Sequence, residues 1–224
     1  MTGSGLFPAI VYMSGCVGLG VPLEKNLEKS LIDHRLGRGV ATLIVDPFTP
    51  RNEFGMARHG LYERIGASDL SEKEWAQNAS RGGNDIVAAV KVLRSMTDID
   101  PNRIFLHGYS IGATSSLSAV DSKTPGTYDV KIAGVIAYYL YCMATDSSAP
   151  VLSLVGDKDD WSPAARCQAI KDKPNTEVVV YSGATHSFAY QPGIDYLGHH
   201  MVYDEGATRD AQHRADAFMD SHLK

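Results

Sequence analysis

A hydroxyl, an imidazole and a carboxylate, at Ser110, His186 and one of Asp157, Asp159 or Asp160, are the groups of this 224-residue chain whose types and setting could do chemistry. Ser110 stands in Phe105-Leu106-His107-Gly108-Tyr109-Ser110-Ile111-Gly112-Ala113, a Gly-x-Ser-x-Gly pattern between an apolar run and a helical stretch. The glycines permit a sharp strand-to-helix turn that lifts the serine Oγ above the sheet. A serine hydroxyl barely ionises at neutral pH, so attack on an acyl carbon needs a base within hydrogen-bond reach. Of the eight histidines, His186 lies in Ser182–Phe188, the loop after the last expected strand, and takes that role. His107 lies inside a strand and reads as packed, while His199 and His200 could approach from a loop. The acid comes from Val155–Pro163. There Asp159, three residues after Gly156, is preferred over Asp157 and Asp160, whose plainer roles are turn formation and solvated charge. Such a carboxylate fixes the imidazole tautomer and stabilises imidazolium; it does not take the proton.

The oxyanion formed by attack needs two N–H donors. Ile111 N–H, just after the nucleophile, is one. The loop Ser14-Gly15-Cys16-Val17-Gly18-Leu19-Gly20 supplies the other, from Cys16 or, second, Val17. Read as a dinucleotide turn, that loop lacks the third glycine, because Leu23 stands at its place. Tyr109, Tyr138, Arg51 and Trp161 are the candidate substrate contacts. Tyr138 would form an aromatic wall with Tyr139 and Tyr141, and Arg51, with Arg58, could hold a substrate carboxylate. Packing is the plainer role of Trp161. The chemistry requires no metal and no organic cofactor.

These groups must be held by the elements around them. Apolar runs predict strands at 8–13, 40–45, 103–107, 132–138, 151–155 and 177–181. A helix starts at Pro22, with Leu23, Leu27, Leu31 and Leu36 on one face and Gly37 just past its end. Asn84 reads as the N-cap of a helix burying Ile86, Val87, Val90 and Leu93, and Gly112–Val120 begins another. Helices also fill 163–171 and 205–222, the latter capped by Asp204, while 47–70 is a long loop. Strands alternating with helices imply a mostly parallel α/β sheet covered on both faces, with ligands beyond the strands' carboxyl ends. The short link between Tyr138 and Pro150 leaves no room for a lid domain, so an open cleft for small or medium acyl groups is expected.

A net charge of −5 gives no long-range attraction for nucleic acid or anionic membrane. With 44% hydrophobic and 21% charged residues, the chain has the composition of one globular domain spanning 1–224. No apolar run is long enough to cross a membrane, and Met1–Gly5 lacks the order of a signal peptide. Cys16, Cys142 and Cys167 form an odd, widely spaced set, which predicts neither a disulfide framework nor a zinc site and points to a reducing, cytoplasmic compartment.

The Ser-Gly-Cys-Val-Gly-Leu loop, Val45-Asp46-Pro47-Phe48-Thr49-Pro50-Arg51, the Gly-Tyr-Ser-Ile-Gly-Ala turn, Gly-Asp-Lys-Asp-Asp-Trp-Ser-Pro-Ala and Tyr203-Asp204-x-x-Ala207-x-x-Asp210-Ala211 together resemble the dienelactone hydrolase family of α/β-hydrolases. The order serine, acid, histidine is that of this fold. The resemblance implies a three-layer fold and hydrolysis of a small-molecule ester or lactone by Ser110, Asp159 and His186. Three departures stand out. Dienelactone hydrolases proper use a cysteine nucleophile, many relatives carry histidine where Ser14 stands, and the chain starts almost on the family's third strand, lacking the usual first two. That loss would leave the 40–45 strand as an edge, covered by the 47–70 loop or by a second subunit in a homodimer. A thioesterase or small-peptide hydrolase would use the same triad, and a non-catalytic binding protein would keep the pocket alone.

Overall fold

The protein is described by a computed structural model that covers residues 5–16, 18, 19, 22–51, 71–123, 130–196 and 198–223. Six runs rich in β-branched and aliphatic residues form one parallel sheet: β1 (Phe7–Met13), β2 (Ala41–Val45), β3 (Ile99–Tyr109), β4 (Gly134–Tyr138), β5 (Val151–Gly156) and β6 (Thr176–Tyr181), in the order β2-β1-β3-β4-β5-β6. Alternate residues of each strand face opposite layers. Val11, Met13, Ile104 and Leu106 meet α2 (Glu72–Ser95) and α3 (Ile111–Ser118) through Ile86, Val90, Ala113 and Leu117. On the other face Ile10, Tyr12 and Phe105 meet α1 (Pro22–Gly37) and α4 (Glu205–His222) through Leu31, Ala211, Ala215 and Met219. Because helices cover both faces, the chain reverses at the strands' carboxyl ends, where the reactive groups gather.

Several boundaries depart from expectation, each for a local reason. Helix α1 includes Gly37, and the chain turns at Gly39, whose φ of +73° suits a residue without Cβ. Leu36 is exposed, because a spacing of five from Leu31 rotates it off the buried face. Helix α2 begins well before Asn84, which is interior to it. Ser71 is the N-cap, its Oγ accepting from Glu74 N–H while the Glu74 carboxylate accepts from Ser71 N–H at 2.8 Å. The Gly82-Gly83 pair inside the helix is a packing device: a Cβ on Gly82 would lie 2.3 Å from Ser115 Oγ, so glycine lets α2 press against α3. Residues Ala164–Ala169 form a 3-10 helix in place of the expected α-helix. A hairpin the pattern did not announce, β7 (Gly193–Tyr196) with β8 (His199–Val202), precedes α4. The Asp204 carboxylate caps α4 by accepting from Ala207 N–H at 2.8 Å.

The cysteines correct a second expectation. Cys142 and Cys167 form a disulfide across 25 residues of sequence, while Cys16 is a buried thiol outside that bond. The spacing concealed the bond because the topology, not the local sequence, brings the loop after β4 beside the turn after β5. With it falls the cysteine-based argument for a reducing compartment. Strand β2 is the sheet edge, paired with β1, and Ile44 on it is exposed. Its expected cover, like Arg58, falls mostly in 52–70, outside the described residues. Among the described residues no helix is long and apolar enough to cross a membrane.

Candidate active site

Strand β3 runs straight into α3 with a single residue between them. That residue is Ser110, with φ +52° and ψ −120°. A serine held there carries backbone strain of about 1–3 kcal/mol. Close packing on both sides enforces it. A Cβ on Gly108 would sit 2.4 Å from the Gly112 carbonyl, and one on Gly112 would sit 2.3 Å from Met13 O and 2.5 Å from Ser14 O. The end of β1, the end of β3 and the start of α3 therefore touch through bare backbone. The turn is anchored by Ser110 N–H donating to Tyr138 O at 3.0 Å.

His186 Nε2 lies 3.0 Å from Ser110 Oγ, and its Nδ1 lies 2.8 Å from Asp159 Oδ2. All three residues are buried. A proton on Nδ1, donated to the carboxylate, leaves Nε2 as the acceptor facing the serine hydroxyl. Asp159 is fixed in turn by its other oxygen, which accepts from Trp161 N–H at 3.0 Å and Ser162 N–H at 2.6 Å. The two loops that carry acid and imidazole are bound together. Lys158 N–H donates to Ala184 O at 3.0 Å, and Asp157 Oδ1 accepts from Gly183 N–H at 2.7 Å. Asp160 faces away and pairs with His199 Nδ1 at 2.9 Å. The three neighbouring aspartates thus hold three different partners.

Aromatic rings brace the imidazole. Tyr139 meets it edge-on with centroids 5.2 Å apart, and Trp161 lies 5.3 Å away, stacked on its far side against His199 at 4.4 Å. Cys16, Ile111, Phe48, Trp75, Tyr141, Trp161 and Met201 form one apolar cluster, so the two candidate oxyanion residues share a wall with the candidate substrate rings. Trp75 stacks on Tyr141 at 4.6 Å and 5°, and the Arg166 guanidinium lies 4.1 Å over the Tyr141 ring. Val17, the other candidate donor, lies outside the described residues.

Three expected substrate contacts are placed elsewhere. Tyr109 and Tyr138 end their strands pointing toward α1 and α4, where the Tyr138 ring stacks on His107 at 5.3 Å. Burial pushes the Tyr138 hydroxyl well above the usual phenol range. The Arg51 guanidinium is bidentate on Asp85, at 2.7 and 2.9 Å, and also donates to Pro47 O, which makes it a clamp between the loop after β2 and α2. Sequence reading missed Trp75 and Met201, and offered His199 only as a possible base, where it instead stacks on Trp161 and pairs with Asp160. Trp75 falls in the part of α2 before Asn84, and Met201 sits on an unforeseen hairpin.

A serine on a strained strand-to-helix turn of a parallel sheet, bonded to a histidine that leans on an aspartate, is the arrangement of the α/β-hydrolases, and the sheet and its flanking helices are theirs. Residues 55–223 match the dienelactone hydrolase family; the chain belongs to that family and is a hydrolase acting on esters. It is 23% identical, over 84% of its own length and 79% of the relative's, to a probable 2-oxo-3-(5-oxofuran-2-ylidene)propanoate lactonase of Bradyrhizobium sp.. Similar solved folds include a dienelactone hydrolase-like promiscuous phosphotriesterase, P91, from metagenomic libraries (18% identity, 98% of this chain and 88% of that one, TM-score 0.69). Another is Thermogutta terrifontis esterase 2 phosphoramylated by tabun (16% identity, 97% and 84%, TM-score 0.61).

Proposed function

We propose that this protein hydrolyses small or medium carboxylic esters or lactones through an acyl-enzyme on Ser110. The observation that carries the reading is the unbroken chain Ser110 Oγ, His186, Asp159, at 3.0 and 2.8 Å. In the first stage Ser110 Oγ attacks the carbonyl carbon while His186 Nε2 takes the hydroxyl proton, and Asp159 stabilises the imidazolium. The N–H groups of Ile111 and Cys16 hold the oxyanion. His186 then gives its proton to the departing alkoxide; in a lactone, the released hydroxyl stays tethered to the acyl group. Water, deprotonated by His186, repeats the sequence on the acyl-enzyme.

Substrate size follows from the surroundings. The link from β4 to β5 carries no inserted lid, and the cluster of Trp75, Tyr141, Trp161 and Met201 offers apolar and aromatic surface beside the serine. A related lactonase and a fold relative whose esterase carries a phosphorus adduct support the same chemistry. A fluorophosphonate should add once, with the mass increment on the peptide bearing Ser110. Ser110→Ala should lose both the label and p-nitrophenyl acetate turnover while keeping its circular dichroism. Full turnover in Ser110→Ala would end the proposal.

A further inference from the structure

One residue outside the triad touches both its acid and its base. Trp161 N–H donates to Asp159 Oδ1 at 3.0 Å, and the Trp161 indole lies 5.3 Å from the His186 ring. The first contact is made by backbone, which the loop itself fixes. The second depends on a side chain, and rotation about its χ1 and χ2 bonds would carry the indole away from His186. Something must therefore hold the indole in place.

His199, on β8, meets that need. Its imidazole stacks on the Trp161 indole with centroids 4.4 Å apart and planes 12° from parallel, a contact that fixes how the two rings lie on each other. His199 Nδ1–H donates to Asp160 Oδ1 at 2.9 Å, which sets the rotation of the imidazole. Asp160 is exposed, so this bond adds little to stability and acts chiefly on orientation. The hairpin that carries His199 is tied to the other catalytic loop as well, for Val202 N–H donates to Thr185 Oγ1 at 2.8 Å, one residue before His186. The contacts thus close a ring: acid loop, Trp161, His199, hairpin, and back to the loop of the base. Trp161, His186 and His199 are all buried within it.

We propose that His199 is a positioning residue for ester hydrolysis: the face of its ring holds the Trp161 indole, and through it the His186 imidazole that must meet the Ser110 hydroxyl. The inference rests on the acyl-enzyme reading above and adds to it a group that acts only through Trp161. Small misplacements of a reacting group lower the rate without weakening binding. His186 serves both stages of the reaction, so acylation and deacylation slow together and the loss falls on kcat with KM unchanged.

The test is steady-state turnover of p-nitrophenyl acetate by the whole protein, with fluorophosphonate labelling of Ser110 timed in parallel and circular dichroism as the folding control. Expected for His199→Ala is at least a tenfold fall in kcat, KM within twofold of the parent, and labelling slowed by a similar factor. His199→Phe restores an aromatic face without Nδ1 and should bring kcat back to within threefold of the parent. If His199→Ala does not fold, His199→Asn replaces it, because its amide nitrogen stands near the place of Nδ1 and can still reach Asp160 while the ring face is gone; the same losses are expected. An unchanged kcat in the variant that lacks the ring, a change confined to KM, or a His199→Phe as slow as that variant would overturn the proposal. A parent protein that neither takes the label nor turns over ester ends the Ser110 reading and this inference with it, whereas an active, labelled parent with unaffected variants ends this inference alone.

Discussion

Asp159→Asn is the substitution for which the structure dictates the most specific failure. One carboxylate oxygen accepts two backbone N–H groups, from Trp161 and Ser162, and the other accepts from His186 Nδ1. An asparagine must place its carbonyl oxygen toward the two backbone donors, because an amide N–H2 there would oppose donor to donor. Its N–H2 then faces Nδ1 and can bond only to an unprotonated nitrogen. The imidazole proton is driven to Nε2, which points at Ser110 Oγ at 3.0 Å and can no longer accept its proton. Volume and packing change little, so the fold should survive. The loss of a correctly held tautomer in a triad of this kind costs about 10⁴-fold in kcat, about 5.4 kcal/mol of barrier. The assay is kcat/KM for p-nitrophenyl acetate at neutral pH, with circular dichroism as the folding control. Asp157→Asn and Asp160→Asn, whose partners are Gly183 N–H and His199, should stay within about tenfold of the parent. Turnover of Asp159→Asn within tenfold of the parent, or an equal loss in Asp157→Asn, would refute the assignment of the acid.

Replacing Cys142 and Cys167 by serine should lower the unfolding free energy by about 3.5 kcal/mol, the loop-closure value for partners 25 residues apart, read as a fall in the urea midpoint. Gly112→Ala drives a methyl into the Met13 and Ser14 carbonyls; a destabilisation of about 3 kcal/mol is expected, with loss of fluorophosphonate labelling in whatever folds. Hydrogen bonds from the Lys123 and then the Lys173 ammonium groups lower the Asp146 carboxyl from its ordinary value near 3.8 to about 2. A depressed carboxyl contributes stability that is complete above the ordinary value and vanishes as pH falls through the folded one. Asp146→Asn should therefore be less stable than the parent at pH 7, with the gap narrowing as pH falls from about 4 and closing only below about 2, as measured by thermal unfolding across that range.

The local rules were enough for much of this protein. Gly108 and Gly112 around Ser110 announce a strand-to-helix turn because few other residues tolerate that backbone approach, and six apolar runs separated by helical stretches announce a parallel sheet. Asp204 reads as a cap because its short carboxylate can reach the N–H groups of the next turn. Where the same rules misled, a distant partner was at work. Arg51 looks like an anion anchor until Asp85 arrives from α2.

What the linear order could not contain is which side of the sheet each side chain meets. Tyr138 and Tyr139 are neighbours in sequence, yet one stacks on His107 beneath the sheet and the other meets His186 edge-on at its rim, a divergence set where β4 ends and Tyr139 takes a φ of +37°. Asp157, Asp159 and Asp160, within four loop positions, could each have served the histidine; only the folded loop, closed by Trp161 and Ser162 N–H, turned Asp159 inward and its neighbours out. Residue type and spacing determine which chemistry a chain can attempt, because hydroxyl, imidazole and carboxylate reactivity is covalent and local. Which of the eligible groups share one crevice is decided by packing across the sheet, because contacts between residues far apart in sequence exist only once the strands are in register.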